Sequence, residues 1–193
     1  MSIIDTLITD RTQADEEHVE ELAAKGYDAM TAEEKAEWDG GMKGAYDASD
    51  LNRVESAVAY LAELLVLLPS ELKEYAASKG VAFDAFFDVP YDAAAYALTT
   101  KTDWAESDSP TPEQMARYIE NVKALRSALD YATSDLPGSM DNLTIDGANA
   151  IEKALKGLDE AIPAFDAKTK VNLHNTASAW IYSGEIYAYA GEV

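Results

Sequence analysis

Apolar residues recur at helical spacing in three stretches of the chain. Leu51, Val54, Val58, Leu61, Leu65 and Leu68 are spaced 3-4-3-4-3, which predicts one continuous apolar face on a helix that Pro69 closes. Met115, Tyr118, Val122, Leu125 and Leu129 form a second seam, which Ile119 widens. Ala148, Ile151, Leu155, Leu158 and Ile162 form a third, which Pro163 ends.

The polar positions between the seams mark starts and stops. Thr12 with Asp15 and Thr31 with Glu34 carry the capping-box pattern, and Thr111-Pro112-Glu113-Gln114 adds proline at the first helical position. The first two caps open shorter helices, one carrying Val19 and Leu22 and stopping near Gly26, the other carrying Ala36 and Trp38. Gly40, Gly41 and Gly44 weaken or interrupt the second of these. Ser70 caps a short helix through Leu72 and Tyr75 that Gly80 closes. Phe83, Phe86 and Phe87 suit anchors for a loop or short helix, Tyr91 to Thr100 fits helix or strand, and residues 103–110 read as a loop. Pro137-Gly138 marks a turn, and Asn172 to Ala179 is polar and ambiguous.

The two ends read differently. Ile3, Ile4, Leu7 and Ile8 suit a strand or extended arm over residues 1–11. At the other end, residues 180–193 place aromatic and β-branched side chains around Ser183-Gly184, the pattern of a strand or hairpin. Three seams joined by short turns imply antiparallel packing. The expected fold is therefore mainly α: one domain over 1–193, an antiparallel helical bundle over 12–163, and a small β element formed by the chain termini. That element pairs within one subunit or with a neighbour.

Charge narrows the partners. Thirty-six acids against fifteen bases give a formal charge of −21 on 193 residues, and the bases are scattered. Without a basic cluster there is no counterion release to gain from phosphates, so neither nucleic acid nor an anionic membrane is an expected partner. The most apolar run, Leu64 to Leu68, is far short of the roughly 20 residues that span a bilayer, so no membrane insertion is expected. Met1 to Asp5 lacks a basic start and an apolar run, which predicts synthesis in the cytoplasm of the producing cell. Cysteine is absent, excluding disulfides and thiolate chemistry.

Candidate chemistry is sparse. His18 follows Asp15-Glu16-Glu17 and His174 sits between Leu173 and Asn175, neither in a metal or triad pattern; solvent-facing histidines are the simpler account. No zinc-protease, nucleophile-elbow, Walker or dinucleotide motif occurs. Asp103, Glu106 and Asp108 form the one candidate calcium site, because hard cations want clustered carboxylate oxygens on a loop, although the spacing is not that of an EF-hand. A glycosidase needs only two carboxylates roughly 5–10 Å apart, and no pair is singled out. The expectation is a non-enzyme without cofactor.

Several motifs together resemble minor structural proteins of phages and prophages of Firmicutes-type gut bacteria. They are Asp10 to Asp15, Met30 to Glu34, Lys43 to Tyr46, Asp50 to Val54, Lys101 to Trp104, Pro110 to Pro112 and Tyr182 to Tyr187. The stretch from about Leu67 to Tyr96 departs from the pattern, and 67–100 reads as a variable region. The resemblance implies a virion structural protein, tail- or baseplate-associated, working as a homo-oligomer with other virion proteins. Its rival is a host-surface or glycan-binding adhesin of the same particle. Capping and core seams account for much of the pattern but leave Arg11, Arg53 and the tail unexplained. Scarce arginines suit bidentate carboxylate contacts, within the chain or between subunits. Trp180, Tyr182, Glu185 and Tyr187 join Arg11 and Arg53 as interface candidates, since Tyr and Trp couple an apolar face to a polar tip.

Overall fold

The computed structural model describes residues 2–81, 93–129 and 135–183, without the side chains of 93–94 and 176–183. The threonine caps form as the sequence predicts. Thr12 and Asp15 exchange bonds at the start of α1 (Gln13–Lys25), Thr31 and Glu34 at α2 (Ala32–Asp39), and Thr111 and Gln114 at α4 (Pro112–Arg126). Asp47 with Asp50 makes the same reciprocal cap for α3 (Ala48–Ser78). The last helix is α5 (Ile145–Ser183).

Neither proline ends its helix. α3 runs through Pro69 and α5 through Pro163. A proline removes one rung of the ladder, a local cost that apolar burial beyond it offsets. Leu72 and Ala76 lie buried past Pro69, so no separate Ser70-capped helix exists. Thr169 and Leu173 lie buried past Pro163. Helix also extends over Asn172 to Ser183, so the backbone of Trp180 and Tyr182 is helical rather than part of a hairpin. The rest of the expected hairpin, with Glu185 and Tyr187, lies outside the described residues, as do Phe83, Phe86 and Phe87.

The amino-terminal segment is not a strand either. Ile3–Thr6 forms a turn of 3-10 helix capped by Ser2 and Asp5, and residues 7–12 carry no regular structure, with extended backbone at Leu7 and Thr12. Ile4 and Leu7 are buried in the main core, which fixes this arm across α3 and α5. Among the described residues there is helix and loop but no strand. Ala93–Tyr96 is another 3-10 turn, packed on α3.

One large core fills the space between α3, α4 and α5, built from Val54, Leu61, Leu65, Tyr118, Val122, Ile151 and Leu158 among others. Asp50 and Glu152, each near the start of its helix, meet on one arginine, while Tyr75 and Lys170 meet toward the far ends. Hence α3 and α5 run in the same direction. They are the first and third helices of the bundle, so this is the relation that alternating successive helices give, although the connections span 79–111 and 127–144 rather than short turns.

A satellite unit precedes this bundle. Leu22, Met30 and Met42 form its centre, with Val19, Trp38 and Ala45 packed around them. Lys25–Glu34 and His18–Glu37 bridge its two helices at the surface, where water screens such pairs and they contribute little. Gly44 seats the loop after α2 against α1: a Cβ there would stand 2.0 Å from the Asp15 carbonyl oxygen. Only glycine allows that approach. No helix among the described residues is long and apolar enough to cross a membrane.

Candidate functional site

The strongest concentration of polar groups lies inside the molecule, where the arm crosses α3 and α5. Arg11 follows the arm and precedes the α1 cap, so the chain delivers its guanidinium inward. Nη2 donates to Asp50 Oδ1 at 2.5 Å and to Glu152 Oε1 at 2.7 Å, and Nη1 donates to the Ile8 carbonyl at 2.8 Å. Arg53 closes the ring from the next turn of α3. It donates to Asp50 and, at 3.1 and 3.2 Å, to both oxygens of Glu152. Glu152, wholly buried, also accepts the Ile8 amide at 2.6 Å. Two guanidiniums thus face two carboxylates, and the buried charge sums to zero.

Neighbouring groups hold this ring in shape. Asn149 pairs reciprocally with the Arg11 backbone, accepting its N–H and donating to its carbonyl, both at 2.9 Å. The Tyr46 ring lies 5.3 Å from the Arg11 guanidinium, and its hydroxyl meets that of Tyr118 of α4 at 2.5 Å. Burial pushes both tyrosine hydroxyls up, so they stay neutral. Burial also raises Asp50, against the pull of the Asp47 amide and the guanidiniums. For Arg53 burial works the other way, yet Glu152 and Asp50 outweigh it and its pKa rises.

A smaller site repeats the theme one turn along α3. Buried Glu55 accepts from Arg117 of α4 at 3.0 Å and from the Lys101 amide at 3.2 Å. Burial raises its pKa above the ordinary value of 4.5. Asn52 clamps Trp104 just as Asn149 clamps Arg11, through bonds of 2.7 and 2.8 Å to its N–H and carbonyl. Asn121 donates to the Thr99 carbonyl at 2.9 Å. These polar residues inside the bundle therefore fasten irregular segments to its helices.

Arg11 and Arg53 are accordingly spent within the subunit rather than displayed for a neighbour. The calcium candidates do not converge. The Lys101 ammonium sits between Asp103 at 2.7 Å and Asp108 at 3.3 Å, where a cation would have to sit. Glu106 belongs to a different surface, against Trp38 and Met42. No group of three metal-binding side chains occurs among the described residues.

Beside Arg11 an open cleft of about 640 Å³ collects the starts of α1 and α5. Helix starts favour anions, but Glu16 and Asp146 already supply negative charge on both walls. The residues missed from the sequence are Asp50, Glu55, Asn52, Asn121, Asn149 and Glu152. Asparagine is a poor residue for a helix interior, and three of them on core-facing turns were the available signal. Comparison with family models, with curated proteins and with solved structures gave no significant match.

Proposed function

We propose that the chain is a structural protein of a phage particle, tail- or baseplate-associated, acting in assembly through contacts with copies of itself and with other virion proteins. The motif resemblance supplies the location. The observation that carries the non-catalytic part is how the buried charge is used: Arg11, Asp50, Arg53 and Glu152 neutralise one another and tie three segments together. A catalytic acid or base instead needs reach to a substrate proton. Exposed Val66, Leu67 and Val171 on the far halves of α3 and α5 add apolar surface of the kind that subunit contacts cover.

Two measurements test it together. Mass spectrometry of particles purified from cells that express the chain is expected to find it at fixed stoichiometry. Light scattering across a concentration series is expected to find an oligomer. A strict monomer that is absent from particles overturns the proposal.

A further inference from the structure

Between the satellite unit and the bundle lies a cleft of about 240 Å³ whose floor is apolar: Val19 of α1, Trp38 of α2, and Met42 and Ala45 of the following loop. Its rim carries Asp39, Asp47 and Glu106, and no lysine or arginine is among its lining residues. Two of these carboxylates are fixed in place. The Tyr27 hydroxyl holds one oxygen of Asp39 at 2.9 Å, and the Ser49 amide holds one oxygen of Asp47 at 2.7 Å. Glu106 is exposed and makes no bond within the described residues.

The size and lining select an occupant. Small-molecule pockets run to roughly 300–1,000 Å³, so this slot suits a single extended side chain. An apolar floor below a carboxylate rim matches a side chain with an aliphatic stem and a cationic head, as arginine and lysine have. The Trp38 ring adds the aromatic surface over which such cations settle, and the planar, weakly hydrated guanidinium gains most from ring and carboxylates together.

The chain itself provides the filled counterpart. Lys101 lies 4.7 Å from the centre of the Trp104 ring, with Asp103 and Asp108 on its ammonium. One tryptophan and two carboxylates there enclose a cation. At the Trp38 cleft one tryptophan and three carboxylates enclose none among the described residues. We propose that this cleft receives one arginine side chain presented by a partner protein. The formal charge of −21 favours approach of a basic partner. The inference does not depend on the particle location proposed for the chain.

Titration of the 15N-labelled full chain with Nα-acetyl-arginine amide, followed by amide and indole shifts, tests it. The lysine and norleucine amides serve as comparisons. Saturable shifts are expected at the Trp38 indole and at the Ala45 and Glu106 amides, stronger for arginine than for lysine and lacking for norleucine. Glu106→Gln, on an exposed loop, is expected to weaken arginine binding about two- to fivefold. Trp38→Ala should abolish it, but Trp38 also packs in the satellite core, so Glu106→Gln decides. Shifts that scatter over the acidic surface without saturating, match for norleucine, or ignore Glu106→Gln overturn the proposal. Neither result bears on whether the chain is found in particles.

Discussion

Two of the places among the described residues where carboxylates gather around a cation have opposite consequences. At Arg11, four charges are almost wholly buried and each carboxylate serves two guanidiniums. At Lys101, on a loop, the partner Asp103 has an 86% exposed side chain, and the lysine side chain itself is a quarter exposed. The first arrangement joins the arm, α3 and α5; the second trims the surface. Burial, rather than the number of charges, separates a structural joint from a solvated loop. Water screens and competes with the exposed pair, while the buried one has no other partners to turn to.

Removing one member of the buried ring is the most severe way to break this contrast. Glu152→Ala strips an acceptor from Arg11, Arg53 and the Ile8 amide at once, leaving unbalanced positive charge inside. A loss of about 3–5 kcal/mol is expected in chemical denaturation. Replacing all four members by apolar residues of similar volume is expected to restore most of that stability. If it does not, the ring contributes more than charge balance.

The asparagine clamps sharpen the comparison at a smaller scale. Asn149→Ala leaves the N–H and carbonyl of Arg11 without their side-chain partners, at an expected cost of about 1–3 kcal/mol. Asn52→Ala does the same to Trp104, whose loop also carries Lys101. Similar losses in thermal melts would show that the exposed loop is anchored by its backbone clamp and not by its ion pairs.

Glu55 adds a pH test whose sign differs from that of the surface acids. Its raised pKa means that the folded chain holds the proton more tightly than the unfolded chain does. Its contribution is therefore full below the ordinary 4.5 and lost as pH rises through the raised value. The stability of the parent chain minus that of Glu55→Gln should fall across that window. Asp15 and Glu34, lowered first by their bonds to Thr12 and Lys25, behave oppositely: their contributions are present at higher pH and lost as pH drops through their lowered values. Denaturant midpoints at several pH values resolve the two slopes.

Legibility in the sequence followed the same divide between apolar spacing and polar context. The three seams, the threonine caps and the stop at Gly26 follow from local rules, and they appear where those rules put them. The helix ends at Pro69 and Pro163 do not, because the turns beyond each proline are held by residues remote in sequence. The arm failed as a strand for a related reason. Ile3 and Ile4 suit extended backbone, but Ser2 and Asp5 cap a 3-10 turn that drops Ile4 into the core. Arg11 and Arg53 could be singled out by their scarcity, whereas Asp50 and Glu152 were hidden among thirty-six acids. Sequence spacing cannot single out a carboxylate that is buried by a helix a hundred positions away.

The smallest expected effect belongs to the acidic loop, and it bears on the opening contrast from the other side. Hydrogen bonding to Lys101 holds the Asp103 carboxyl below its ordinary value, and the Ala105 amide, then Lys101, does the same for Asp108. Both groups are solvent-facing, so Asp103→Asn should leave the melting temperature within error at moderate salt. Any shift seen at low salt should vanish as salt is added, since exposed pairs are screened over about 10 Å at 0.1 M. Calcium should give no saturable heat in calorimetry, because the ammonium stands between the carboxylates that would bind it. A stability loss from Asp103→Asn comparable to that of Asn52→Ala would place this ion pair with the buried ring, and burial would no longer be what separates the two sites.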